Sequence, residues 1–212
     1  MKHVIRIALF AGLALVAGAA MAGNMSLTHV QHVNKSWTDT PQQKGLMETA
    51  IGEAEIAVTH AGFAVKKPDD MAWMKMHNKH VINAIDPGKE PKGPGMGYGV
   101  LKASKGVIKH INLAAGSADA SDYLKLHAVH VATSAENAVK RSEQVLQLSE
   151  LLQQSNSLKE VAKLSKEIAV LTQTILNGTD ANDDGKITWQ AGEGGLLESR
   201  KHLGFIVKDA GL

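Results

Sequence analysis

The stretch Leu158-Lys-Glu-Val-Ala-Lys-Leu-Ser-Lys-Glu-Ile-Ala-Val-Leu-Thr-Gln-Thr-Ile175 gives the clearest indication of the fold. Residues three and four apart lie on the same face of an α-helix, so apolar side chains at these intervals form one stripe. Such a stripe must be buried against other helices. The large apolar residues that follow this spacing are Leu158, Val161, Leu164, Ile168, Leu171 and Ile175.

Similar helical periodicity extends outward from this segment over the rest of the chain. Residues 24–40 are expected to be irregular or to form a short helix, and Gly88–Gly99 to form a loop because it is rich in Gly and Pro. No alternation long enough for a β-strand is present. We therefore predict an all-α fold, an antiparallel bundle of about five to six helices, in a single domain covering 23–212. The predicted helices begin at about 41, 68, 100, 122, 158 and 195.

The N-terminus has the pattern of a secretory signal peptide. Lys2 and Arg6 are basic, Ile7–Ala17 is apolar, and Ala20-Met21-Ala22 provides small residues for cleavage before Gly23. The apolar run is shorter than a transmembrane helix requires. We expect residues 1–22 to be a signal peptide and the mature protein to be periplasmic or secreted, with no membrane anchor.

Composition excludes several kinds of site. The chain has no Cys, which rules out disulfides, thiolate metal sites and thiol nucleophiles. A formal net charge of +2 gives no electrostatic reason to expect nucleic acid as a partner. None of the common hydrolase or zinc-protease motifs is present. Binding is therefore a better expectation than catalysis.

One segment near the C-terminus carries oxygen side chains at alternate positions, Asp180-Ala-Asn-Asp-Asp-Gly-Lys-Ile-Thr188. It resembles the first nine positions of the EF-hand calcium loop, in which Gly at the sixth position permits a sharp turn. The resemblance covers this segment only. It implies Ca²⁺ as a ligand, with the backbone carbonyl at the seventh position. The implied ligands are Asp180, Asn182, Asp184, Lys186 and Thr188.

The resemblance ends at the twelfth position, where the EF-hand family has a bidentate Glu and this chain has Ala191. Glu193 is the nearest carboxylate, and the glycines beside it allow the backbone to bring it back toward an ion. Three interpretations remain open. Glu193 completes an extended calcium loop, the site has lost this ligand, or the segment is a turn rich in Asp and Asn without a metal.

Histidine is the other unusual feature, and three pairs share the spacing His-x-x-His, at 29/32, 77/80 and 127/130. Residues at i and i+3 of a helix lie close enough for two imidazoles to bind one metal. We expect the pairs at 77/80 and 127/130 to converge on one shared site, with a histidine from another helix nearby. The ion would be a transition metal such as Cu or Zn, and haem b is an alternative. The candidate ligands are His60, His77, His80, His110, His127 and His130.

These features favour an exported metal-binding protein for metal handling or sensing, with a calcium-binding loop and a His-rich site in the bundle. One alternative is a periplasmic haem or di-metal redox enzyme, for which Glu53 and Glu55 are carboxylates on the same bundle. Another is a structural calcium-bound interaction module, in which the histidines are hydrogen-bonded at the edge of the core. Metal ions are the only partners that the sequence indicates.

Overall fold

The computed structural model describes residues 24–212, and over this range the protein consists of α-helices joined by loops, with no β-strand. A single 3₁₀ turn, Pro41–Gln43, separates the first two helices. The helices are α1 (Met25–Asn34), α2 (Leu46–Ala64), α3 (Met71–Ile85), α4 (Val100–Gly116), α5 (Asp122–Gln154), α6 (Leu158–Asn177) and α7 (Leu196–Asp209). The predicted all-α bundle is confirmed. The predicted signal peptide lies outside the described residues.

The first part of the bundle differs from the prediction mainly at the start of α2. Of the two forms expected for residues 24–40, an irregular segment or a short helix, the structure shows the short helix α1, and the described residues form seven helices where about five to six were predicted. The helix predicted from residue 41 begins only at Leu46, because Gln42 and Gln43 have positive φ and interrupt it. Gly45 then brings the start of α2 against the end of α1, where a Cβ would lie 2.6 Å from the backbone of Asn34.

Side-chain caps determine where three of the other helices begin. Asp70 accepts a hydrogen bond from the backbone N–H of Trp73 at the start of α3, and Ser121 accepts one from Leu124 at the start of α5. Ser157 does the same for α6. Each side chain satisfies one of the N–H groups that a helix start leaves without a partner. Ser and Asp are among the residues preferred at the N-terminal cap of a helix, so these three positions agree with helices that begin there.

The long helix α5 packs against four other helices, α3, α4, α6 and α7. The heptad-like stripe of α6 is largely buried, as expected, although Leu158 at its first turn is 41% exposed. The buried members of the stripe are Val161, Leu164, Ile168 and Ile175.

The Gly/Pro-rich segment is a loop, as predicted, and it is held by two polar side chains from the helices. Glu53 on α2 is fully buried and accepts hydrogen bonds from the backbone N–H groups of Met96, Tyr98 and Gly99. Asn83 on α3 accepts one from Gly95 and donates one to the carbonyl of Glu90. The loop is therefore fixed to α2 and α3.

No helix within residues 24–212 combines the length and apolarity needed to cross a bilayer.

Candidate metal centres

All nine histidines of the described chain lie in three clusters of three, and the tenth, His3, lies outside residues 24–212. In each cluster, a His-x-x-His pair on one helix meets a single His on a helix packed against it. We call them site 1, between α1 and α4, site 2, between α3 and α2, and site 3, between α5 and α7. Site 1 comprises His29, His32 and His110; site 2 comprises His77, His80 and His60; site 3 comprises His127, His130 and His202.

Local packing orients each pair toward its partner helix. The residue after each second His is a Val, and Val33, Val81 and Val131 are all fully buried. Adjacent positions on a helix point about 100° apart, so the histidines lie at the border of the buried face. The imidazoles are thus directed into the groove between two helices and stay partly accessible from outside.

The ring nitrogens in each site are close together. In site 1, Nδ1 of His110 lies 3.1 Å from Nδ1 of His29 and 3.2 Å from that of His32. In site 2, the distances from Nδ1 of His60 to His77 and His80 are 3.0 Å and 3.1 Å. In site 3, the distances from Nδ1 of His202 to those of its two partners, His127 and His130, are 2.9 Å and 3.3 Å.

Hydrogen bonding alone does not explain this arrangement. A neutral imidazole nitrogen has one in-plane position, which holds either a proton or a lone pair. The Nδ1 atom of each single His faces two other Nδ1 atoms at once, so it cannot form a linear hydrogen bond to both. Two ligands held about 2.0–2.1 Å from one ion at angles of 90–110° are themselves about 2.9–3.4 Å apart. The observed spacing fits three ligands around a common ion.

Burial also favours the neutral form of two imidazoles in each site. The pKa of His60, of His110 and of His202 is lowered to about 4, mainly because burial disfavours the charged form, and also because neighbouring histidines repel a proton. The pKa values of His32, His77 and His130 are lowered for the same first reason. A metal requires the neutral ring, so the sites are prepared for ligation near neutral pH.

Each site also contains one of the three tryptophans of the chain. The ring centroid of Trp37 is 4.5 Å from that of His110 in site 1, and the centroid of Trp73 is 4.3 Å from that of His77 in site 2. Trp189 stacks on His130 in site 3, with centroids 4.0 Å apart and planes 19° apart. Each tryptophan therefore contacts a ligand ring, and each can report on the occupancy of its own site.

The expectation that the pairs at 77/80 and 127/130 share one site is wrong. Asn78 donates a hydrogen bond to Ser149 of α5, so His77 and His80 lie near the C-terminal end of that helix. Along α5, Ser149 is about 33 Å from His127 at a rise of about 1.5 Å per residue. The two pairs therefore belong to separate sites, and His110 belongs to a third.

Two parts of these sites are missing from the predicted ligand set. The pair His29 and His32 has the right spacing, but it lies in residues 24–40, which were expected to be irregular or to form only a short helix. His202 has no nearby His on α7. A sequence repeat would have identified His202. The segment His202-Leu-Gly-Phe-Ile-Val-Lys208 shares with His60-Ala-Gly-Phe-Ala-Val-Lys66 every named residue of the pattern His-x-Gly-Phe-x-Val-Lys.

The segment that resembles an EF-hand forms a tight, exposed turn between α6 and α7. Asp180 accepts hydrogen bonds from the N–H groups of Asp184 and Gly185, and Gly185 has a φ of 82°. The side chain of Asn182 accepts from Asp184, whose own carboxylate accepts from the N–H of Lys186. The side-chain oxygens thus face the inside of the turn.

Glu193 lies beside the ninth position of this loop. Its carboxylate is 2% exposed and accepts hydrogen bonds from both the backbone N–H and the hydroxyl of Thr188, at 2.9 and 2.6 Å. The side chain of Ala191, at the twelfth position, is exposed. Buried Arg141 of α5 donates to the carbonyls of Thr174, Gly192, Glu193 and Gly194, and so ties the end of the loop to the bundle.

Comparisons with protein-family models, curated proteins and solved structures found no match.

Proposed function

We propose that this protein is an exported metal-binding protein that holds three transition-metal ions, one in each His site, for metal handling. The observation that carries the proposal is the repeated convergence of three Nδ1 atoms at ligand spacing, which accounts for every histidine in residues 24–212. Three similar sites in one small domain suit a protein whose role is to carry several metal ions per chain. A catalyst needs only one such centre.

The donor set indicates the class of ion. Three neutral imidazoles without thiolate suit Cu²⁺, Zn²⁺, Ni²⁺ or Fe²⁺, and among divalent ions Cu²⁺ binds such ligands most tightly. Three protein ligands leave a fourth position open in a tetrahedral ion. Because the sites are partly exposed, a bound ion can exchange the ligand at its open fourth position with the surroundings. A protein that takes up and releases metal requires such exchange.

The alternatives fit less well. A haem needs a flat cavity as wide as the porphyrin between its two axial ligands, whereas the imidazole nitrogens of each site lie about one hydrogen-bond length apart. A di-metal carboxylate centre needs free carboxylates, but the carboxylate of Glu53 is occupied by three backbone N–H groups. Single ions bound by imidazole remain the best-supported ligands.

Equilibrium dialysis of the mature protein against buffered Zn²⁺ or Cu²⁺ tests the proposal. We expect about three ions per chain in the wild type by the count of sites, each with a three-coordinate histidine set. His110→Ala, His60→Ala and His202→Ala should each remove one ion and leave the other two, so that each variant controls for the others. A wild-type protein that retains no ion at micromolar free metal would refute the proposal.

We further propose that the loop 180–193 binds Ca²⁺, with Glu193 in place of the missing twelfth ligand. The inward-facing oxygens of Asp180, Asn182 and Asp184 support this, as does the position of the Glu193 carboxylate against Thr188. A lone loop of this kind should bind weakly, in the range of about 10⁻⁴–10⁻³ M that suits extracellular calcium.

Thermal melts with millimolar CaCl₂ and with EGTA test the calcium proposal, because a ligand that binds only the folded state raises the melting temperature. Asp180→Ala and Glu193→Gln should each reduce the rise, whereas Ala191→Glu should have little effect if Glu193 already fills the twelfth role. Equal melting temperatures in the two buffers would contradict calcium binding and leave the His sites unaffected.

A further inference from the structure

Site 3 contains a carboxylate that the other two sites lack. Oε1 of Glu198 lies 3.2 Å from Nε2 of His202, one helical turn away on α7. Both side chains are well shielded, with 13% of Glu198 and 9% of His202 exposed. Glu198 also contacts the ammonium group of Lys201 at 3.0 Å, on the solvent side.

The contact occupies the nitrogen of His202 that faces away from the site. The negative charge of the nearby carboxylate favours a proton on Nε2, which leaves the lone pair on Nδ1. Nδ1 is the atom that faces His127 and His130. Glu198 therefore favours, through its charge, the tautomer that a metal ligand needs, and raises the basicity of Nδ1.

In the other two sites, the residue four positions before the single His has no carboxylate and cannot act on the ring as Glu198 does. Four residues before the single His stand Ile56 in site 2 and Gly106 in site 1. In residues 24–212, His202 is the only histidine with a carboxylate oxygen within 4.0 Å. In site 2, Nε2 of His77 is buried without a hydrogen-bond partner. The three sites thus share their ligands but differ in what orients them.

We propose that Glu198 is a positioning residue for site 3 and makes it the highest-affinity site of the three, filled first and emptied last. This inference rests on the proposed function, since it orders the sites that the function assigns. It predicts a protein with one retained ion and two more readily exchanged ones. Outer-shell partners of ligating histidines are typically worth about 10–100-fold in metal affinity.

The tryptophans allow each site to be followed alone. Trp37→Phe with Trp73→Phe leaves Trp189 as the only tryptophan, next to site 3, and the two other double variants leave Trp37 or Trp73. Each is titrated with Cu²⁺ buffered by glycine, and quenching of the remaining tryptophan gives the free Cu²⁺ at half-occupancy. We expect Trp189 to be quenched at a free Cu²⁺ about 10-fold or more below that for the other two.

Substitutions of Glu198 are then made in the background that retains Trp189. Glu198→Ala should raise the midpoint for site 3 by about 10–100-fold. Glu198→Gln keeps an acceptor but loses the charge, so its effect should be smaller. Lys201→Ala, which removes only the outer ion pair, is the matched control and should leave the midpoint unchanged. Melts of the metal-free variants check that the fold is retained.

The outcomes separate the inference from the proposed function. If Glu198→Ala leaves the site 3 midpoint unchanged, or shifts all three sites equally, Glu198 is not a positioning residue for this site. If, among the three single-tryptophan variants, Trp189 is not the one quenched at the lowest free Cu²⁺, the proposed order is wrong. If none of the tryptophans is quenched while the protein is folded, the proposed function itself fails.

Discussion

At the scale of single residues, each site depends on rings that are neutral and share one orientation, with Nδ1 directed inward. Burial between two helices supplies the neutrality, because it disfavours the imidazolium form. Packing of the helices supplies the orientation, and Glu198 places a carboxylate 3.2 Å from the outer nitrogen of His202 in site 3. The same features that prepare a ring for a metal make it costly to protonate.

The metal-free protein should therefore lose stability in mild acid. The pKa of His60, His110 and His202 is about 4 in the folded state, below the value of about 6.5 that is ordinary for a histidine. Between these values the unfolded chain binds more protons than the folded one, so the free energy of unfolding decreases as the pH falls from about 6.5 to about 4. Melting temperatures of metal-free protein at pH 7, 6 and 5 measure this.

A variant in which the three single histidines are replaced by Ala provides the control, and it should show a weaker pH dependence over the same window. A melting temperature of the wild type that is constant or rises as the pH falls from 7 to 5 would contradict the assignment of these residues as buried, neutral imidazoles.

The His-x-x-His pairs could be predicted from sequence because both members lie on one helix, where spacing alone sets their distance. The third ligand could not be predicted in this way. Which of His60, His110 and His202 meets which pair depends on which helices pack together, and periodicity does not report that. Grouping 77/80 with 127/130 failed for the same reason. The pair on α3 lies beside the C-terminal part of α5, whereas His127 and His130 lie near the start of α5 and meet α7.

At the scale of helices, every site joins two helices that pack along their length, α1 with α4, α2 with α3, and α5 with α7. The amphipathic stripe of α6 and the caps at Asp70, Ser121 and Ser157 could be read from the sequence. The position of the first helices could not, because a short helix such as α1 carries too few turns to show a period, and positive φ at Gln42 and Gln43 is not evident from residue type.

Glu53 provides a test of how a loop is fixed to this framework. Glu53→Ala would leave three backbone N–H groups of the loop without their acceptor, and each buried group without a partner costs about 1–3 kcal/mol. We expect the free energy of unfolding to fall by about 3 kcal/mol or more, as measured by urea denaturation. The exposed Glu48→Ala, on the same helix, is the control and should change stability by less than about 0.5 kcal/mol.

A Glu53→Ala variant that unfolds at the same urea concentration as the wild type would show that the loop does not depend on this carboxylate. A variant that loses stability but still binds three ions would agree with a structural role. Loss of an ion from site 2 alone would instead assign Glu53 a part in that site.

At the scale of the whole molecule, sites 2 and 3 lie near opposite ends of α5. We therefore expect ions in the two sites to bind independently, and each ion to stabilise the packing of a different pair of helices. A ligand that binds only the folded state stabilises it by about 2.7 kcal/mol at a free concentration of 100 times Kd, and this applies to each site separately. Adding Zn²⁺ should therefore raise the melting temperature in wild type and less in His110→Ala, His60→Ala and His202→Ala. An equal rise in all four proteins would place the stabilising ion elsewhere.

Anomalous diffraction from crystals of the Zn²⁺-loaded protein can show directly whether three separate ions are each held by three histidines. We expect three anomalous peaks at the zinc edge, each about 2.0–2.1 Å from three imidazole nitrogens. One peak belongs to His29, His32 and His110, one to His60, His77 and His80, and one to His127, His130 and His202. Zinc peaks only at other positions, or histidine clusters without a peak at saturating Zn²⁺, would contradict this expectation.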